Sequence, residues 1–150
     1  MTDDELIAGF EGARLGAFRH ADHVRVAWIY LRRLGLHRAL AAVSDGLKRL
    51  AASQGHAAKY HATVSWLYVF AIHERMATTE EAGSWDDFAS QNPDLLKGWG
   101  AFVGRHYSPE VLSSPLARRE FVLPDRAPQR LREREQPKEG ELRVRPRGGA

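Results

Sequence analysis

The chain has 150 residues, of which 43% are hydrophobic, carries a formal net charge of +3 and contains no cysteine. A chain of this length fits one domain with a sizeable hydrophobic core. The lack of cysteine excludes disulfides, thiolate metal ligands and a cysteine nucleophile, so nitrogen and oxygen atoms alone would hold a bound metal ion.

The sequence gives no indication of a membrane or of secretion. The first residues, MTDDELIAGF, are acidic and lack a basic stretch followed by a long apolar run, which a signal peptide needs. The longest apolar run, VSWLYVFAI, is nine residues long, whereas a helix that spans a bilayer needs about 20. We therefore expect a soluble, cytoplasmic protein with no membrane partner.

The basic charge is concentrated in the last residues of the chain. Residues 126–150 carry eight Lys and Arg against four Asp and Glu, whereas residues 1–125 carry 14 basic and 15 acidic residues and a net charge of −1. The composition of 126–150, rich in Pro, Gly and mixed charge, predicts a disordered tail, because such a segment buries too little to offset its ordering entropy. With acids interrupting the tail and no aromatic in it, we do not expect nucleic acid as a partner.

The first two predicted elements are helices with clear end signals. A capping box, Thr2-x-x-Glu5, begins the first helix, which we expect to end near Gly16. The second helix runs from about His20 or His23 to Leu34. Its apolar positions face one side, and Ile29 is predicted to be exposed with the arginines on the other side.

Two longer helices follow, from about His37 to Gln54 and from about Lys59 to Met76. The last of these is apolar almost all round and is therefore predicted to be the most buried. Short connections between these helices predict antiparallel neighbours. The predicted fold class is all-α: an up-down bundle of four main helices.

Short helices are predicted beyond the bundle, where cap residues precede prolines at the first helical position. We interpret them as straps across the bundle, which completes a helical domain over residues 1–125. The cap signals are Ser84, Asn92-Pro93, Ser108-Pro109 and Ser114-Pro115.

Three histidines carry the main functional hypothesis. His20 and His23 lie on the core-facing side of the second helix, and His61 lies in the first turn of the fourth. Since these two helices run parallel in an up-down bundle, we expect the three imidazoles to meet at one end. Three imidazoles with a vacant position are typical of a catalytic zinc site, and they also suit iron or copper. The predicted function is a small metalloenzyme that binds one divalent metal ion and activates water or dioxygen for a small-molecule substrate.

The alternative is a metal-free helical binding or regulatory module, in which the histidines satisfy hydrogen bonds in the core. Tyr30, Ser65 and Tyr68 offer partners for that role. No feature of the sequence selects the substrate, the metal or the oligomeric state.

Four further residues are candidates for a role in function. Glu74, in the segment HER, is predicted to form a structural ion pair with Arg32 or Arg33, and a role as a catalytic residue is the alternative. Tyr107, in RHYS, is a candidate donor to a substrate oxygen, with packing as the alternative. Trp28 and Trp66 are core anchors that are also candidates to line a pocket near the histidines.

Residues 5–125 resemble a family of small all-helical bacterial proteins. The segments that carry the resemblance are HADHVRVAWIYLRR, KYHATVSW, HER and HYSPEVLSSPLARREFVLPD, which occur in that order. The resemblance implies a self-contained small domain and implies no particular activity.

Overall fold

The computed structural model describes residues 1–78 and 83–126 of the chain. Within those ranges every regular element is helical, which confirms the predicted all-α fold class. No helix in the described ranges is long and apolar enough to cross a membrane. The predicted disordered tail lies outside the described residues except for Arg126, whose guanidinium donates to the Gly104 carbonyl oxygen at 2.8 Å.

The first helix, α1 (Asp3–Glu11), begins at the predicted capping box. The Thr2 hydroxyl accepts from the Glu5 amide at 3.2 Å, and the Glu5 carboxylate accepts from the Thr2 amide at 2.7 Å. The helix ends five residues before the predicted Gly16, because Ala13 adopts a φ of 51°, which an α-helix cannot contain.

A single glycine joins α2 (His20–Leu34) to α3 (Leu36–Ser53). Gly35 has a φ of 77°, in the left-handed region that favours glycine, and this conformation ends one helix and begins the next. The start of α2 is set by Asp22, whose carboxylate accepts from the Arg19 amide at 2.9 Å. His20 therefore belongs to the helix rather than to the preceding turn.

The fourth main helix begins later than predicted. A short 3-10 helix, Ala57–Lys59, comes first, and α4 then covers Ala62–Thr78. His61 consequently precedes the helix rather than lying in its first turn. Its side chain caps the helix, because its Nδ1 accepts from the Val64 amide at 3.2 Å.

Five short helices complete the described structure, four of them at predicted cap signals. The hydroxyls of Ser84, Ser108 and Ser114 each accept from the amide three residues later. The remaining one, α7, has no proline at its start and was not predicted. Their bounds are α5 (Trp85–Gln91), α6 (Pro93–Leu96), α7 (Trp99–Gly104), α8 (Pro109–Leu112) and α9 (Pro115–Arg119).

The segment after α9 is bound to α4 by buried hydrogen bonds. Thr63 is fully buried, and its hydroxyl donates to the Ala117 carbonyl at 2.7 Å and accepts from the Val122 amide at 3.2 Å. The Tyr107 hydroxyl donates to the carbonyl oxygen of Val122. The short C-terminal helices are thereby held against the bundle, where they border the site described below.

The prediction that Ile29 is exposed is wrong, since only 2% of the residue is accessible. Arg25 and Arg33, which lie one helical turn on either side of it, form ion pairs with Asp3 at 2.7 Å and Asp4 at 2.8 Å. These acids belong to the first turn of α1, so α1 lies along the arginine face of α2 and covers Ile29.

Candidate functional site

A cavity of about 490 Å³ opens between α2, α3 and α4. We call it the histidine pocket, because His20, His23 and His61 all lie in its wall. Its lining consists of Phe18, His20, His23, Val24, Ala27, Val43, Leu47, Leu50, Ala51, Gln54, His56, Lys59, Tyr60, His61, Val64, Ser65, Tyr68, Val69, Trp99 and Arg118.

The lining changes in character from the interior to the opening. The buried part is apolar and comes mainly from aliphatic side chains of all three helices, such as Val24, Val43 and Val69. The exposed part, which we call the rim, is polar or aromatic. The rim comprises Gln54, His56, Lys59, Trp99 and Arg118.

His20 is held by the main chain of a strap helix. Its Nε2 lies 2.7 Å from the Leu95 carbonyl oxygen in α6. Since a carbonyl only accepts, this nitrogen donates the hydrogen bond. The ring also packs edge-on against Tyr68, with ring centroids 5.0 Å apart.

His23 is the histidine whose ionisation the fold changes most. Burial, and to a lesser extent the neighbouring His20, lower its pKa from 6.5 to about 4. Its ring lies on that of Phe18, with centroids 4.2 Å apart. Among the residues that the structure describes, its ring nitrogens have no hydrogen-bond partner, so His23 presents a neutral imidazole to the pocket.

Both ring nitrogens of His61 are already engaged. Nε2 donates to the Leu112 carbonyl oxygen of α8 at 2.8 Å, while Nδ1 accepts from the Val64 amide at 3.2 Å. A metal ion could bind this ring only if one of those bonds broke.

The three histidines share a pocket but not one point within it. The described residues contain no group of three His, Asp or Glu side chains placed to hold a metal ion. His20 packs on Tyr68, which follows His61 by seven residues and so lies about 10 Å further along α4. The two rings also turn toward different strap helices, α6 and α8.

Tyr68 contributes an unsatisfied polar group to the pocket wall. The residue is 8% exposed, and among the described side chains its hydroxyl is the buried polar atom without a hydrogen-bond partner. Burial raises its pKa above the ordinary value, so the hydroxyl keeps its proton. A buried donor of this kind costs about 1–3 kcal/mol while it lacks a partner.

The two candidate catalytic residues lie outside the pocket lining. Glu74 is exposed near the C-terminal end of α4. Tyr107 is fully buried, its hydroxyl donates to Val122, and burial raises its pKa to about 12. Arg33, a predicted partner of Glu74, pairs with Asp4, and the Arg32 guanidinium lies 4.6 Å from the Trp28 ring centroid.

Neither tryptophan proposed for the pocket reaches it. Trp28 is buried against Trp85, with centroids 5.7 Å apart, and the Trp66 indole N–H donates to the Ser44 hydroxyl at 2.9 Å. Trp99 lies at the rim instead and is 54% exposed. The sequence offered one signal for this exposed position, since Trp99 lies between two glycines in the segment KGWG and not within an apolar run.

The cations of the rim were also missed. Lys59 and Arg118 are far apart in the sequence, and the pattern around each one predicts only a solvent-exposed surface residue. Only the packing of α9 against the start of α4 brings them to one opening.

The chain matches no family model, no curated protein and no solved structure. The function proposed below is therefore argued from the geometry of the histidine pocket.

Proposed function

We propose that the protein binds a small, largely apolar organic molecule in the histidine pocket. The observation that carries this proposal is the cavity itself, with a volume of about 490 Å³ and a predominantly apolar wall. Ligand sites typically have volumes of about 300–1,000 Å³ and pair apolar walls with a few polar groups that orient the ligand.

The polar groups of the pocket support ligand recognition. His23 offers a neutral ring without a partner among the described residues, and the Tyr68 hydroxyl is unsatisfied. A ligand oxygen that reached either group would add a hydrogen bond and remove the cost of leaving it unpaired. The small-molecule partner predicted from the sequence is retained in this proposal, without a metal ion as a requirement.

Filling the cavity should abolish binding. Ala51 of α3 lines the pocket and is half-buried, so the Ala51→Phe variant places a ring in the space that the ligand occupies. We expect fragments that bind the wild type, detected by ligand-observed NMR in a panel of small aromatic and aliphatic compounds, to lose at least about tenfold in affinity.

Ala52→Phe is the matched control, because Ala52 is the next residue of α3, is exposed and lies outside the lining. It should bind the same fragments as the wild type. Unchanged affinity in Ala51→Phe, or a wild type that binds nothing in the panel, would overturn the proposal.

The metal centre predicted from the sequence is a second candidate, favoured by the presence of His20, His23 and His61 in one wall. In this reading they bind zinc, copper or iron, and the ion activates water or dioxygen. His61 must give up its bond to Leu112 or its bond to Val64 in order to bind the ion, and His20 and His61 must approach each other.

Elemental analysis after reconstitution separately with zinc, copper and iron tests this candidate. This candidate requires about one ion per chain in the wild type and none in His23→Ala. His73→Ala, which removes an exposed histidine outside the pocket, should keep the ion. Equal metal content in all three proteins would eliminate the metalloenzyme.

A further inference from the structure

The charge of the histidine pocket has one sign. No Asp or Glu is among the lining residues, all of which the structure describes, whereas Lys59 and Arg118 both lie at the rim. Residues 1–125 as a whole carry no such excess, since their net charge is −1. The cations are therefore a local feature of this opening.

The fold holds the two cations on the same side of the opening. Lys59 ends the short 3-10 helix, and the Arg118 guanidinium donates to the carbonyl oxygen of Ala58, in that same helix, at 3.2 Å. This bond uses one of the five N–H donors that a guanidinium carries. Arg118 is thereby kept beside the 3-10 helix that ends at Lys59, with donors left for a planar anion such as a carboxylate.

The buried wall behind these cations is apolar. Val24, Ala27 and Val69 lie there, each at most 2% exposed. An inorganic anion would leave this wall unfilled, and a neutral apolar molecule would leave the rim cations without a partner. A molecule with an apolar body and an anionic group at one end matches both parts of the pocket.

We propose that the pocket selects amphipathic anions: a small aromatic or aliphatic molecule whose body lies against the buried wall and whose carboxylate, or similar acidic group, lies between Lys59 and Arg118. This inference rests on the proposed function and names its ligand class. It makes the two rim cations the residues that determine specificity.

Two fluorescent probes with the same skeleton test the assignment. 1-Anilinonaphthalene-8-sulfonate is an amphipathic anion, and N-phenyl-1-naphthylamine is its neutral counterpart without the sulfonate. We expect the wild type to bind the anion about fivefold more tightly at low ionic strength, because two exposed ion pairs together contribute about 1 kcal/mol. Raising the salt concentration should reduce this ratio, since exposed charges are screened.

The double variant Lys59→Met, Arg118→Met should reduce the ratio to about one and leave the affinity for the neutral probe unchanged. The unchanged affinity for the neutral probe shows that the pocket is still formed. Arg38→Met, Arg119→Met is the charge-matched control, because both arginines are exposed and lie outside the lining. It should keep the wild-type ratio. Ala51→Phe should lose both probes, which places them in the pocket.

The outcomes separate this inference from the proposed function. If the wild type binds both probes equally, or if the control variant loses the ratio as fully as the rim variant, the anion assignment is wrong while ligand binding in the pocket stands. If neither probe binds, the anion assignment also fails, and the fragment panel with Ala51→Phe decides the proposed function independently.

Discussion

Replacing Gly46 by alanine should lower the free energy of unfolding by about 2–3 kcal/mol, although alanine is the better helix former by about 1 kcal/mol. Gly46 lies within α3, and a Cβ atom built on it overlaps the Cε1 and Cζ atoms of Phe10. Phe10 is fully buried in α1 and stacks on Phe18, so its ring has no open space to enter. Chemical denaturation followed by tryptophan fluorescence measures the loss.

Gly100→Ala is the matched control for this substitution. Gly100 also lies within a helix, α7, but a Cβ atom there meets nothing within 4 Å. We expect this variant to be as stable as the wild type or up to about 1 kcal/mol more stable. The double variant Gly46→Ala, Phe10→Leu should recover part of the loss, because the smaller side chain relieves the overlap. A Gly46→Ala protein as stable as the wild type would contradict the packing of α1 on α3.

Lowering the pH from 7 to 4 should cost the protein up to about 3 kcal/mol of stability through His23 alone. The folded pKa of about 4 lies below the unfolded value of 6.5. Between these values the unfolded chain binds the proton and the folded chain does not, so stability falls as the pH falls through this window. Above pH 6.5 both states are neutral, and the contribution is fully present.

Denaturation curves of His23→Gln at several pH values isolate this effect. The variant should lose less stability than the wild type between pH 6.5 and 4, because glutamine does not titrate. His73→Gln removes an exposed histidine and should keep the wild-type dependence of the free energy of unfolding on pH. The burial of His106 also lowers its pKa, but this contribution is common to all three proteins and leaves the comparison intact. If the free energy of unfolding fell equally with pH in the wild type and in His23→Gln, the His23 ring would not be desolvated in the folded state.

Local signals in the sequence predicted most of the helices. The capping box at Thr2 and the serines before Pro109 and Pro115 act through neighbouring residues, so their effect is readable from a few letters. The start of α4 was predicted at about Lys59 rather than Ala62 because no Gly or Pro separates the 3-10 turn from the apolar run, and the sequence pattern does not distinguish such a turn from the first turn of an α-helix. The burial of Ile29 depends on α1, which no pattern within α2 reveals.

The helical wheel placed His20 and His23 on the inner side of α2, and both line the pocket. A wheel gives direction around a helix but not the level at which two helices meet. The partners that orient His20 and His61 are carbonyls of Leu95 and Leu112, which lie 75 and 51 residues away in sequence. Such partners are main-chain atoms, so no residue type marks them in advance.

The long-range bonds of α2 and α4 also set an order for folding on the ribosome. His20, His61 and Thr63 bind main-chain groups of Leu95, Leu112 and Val122, all of which are translated later. A nascent chain that has released only its first 78 residues presents the helices of the pocket wall without the acceptors that orient those side chains. The wall is therefore completed after synthesis of the straps, and a chaperone that shields the apolar α4 during that interval would act on the stage most prone to aggregation.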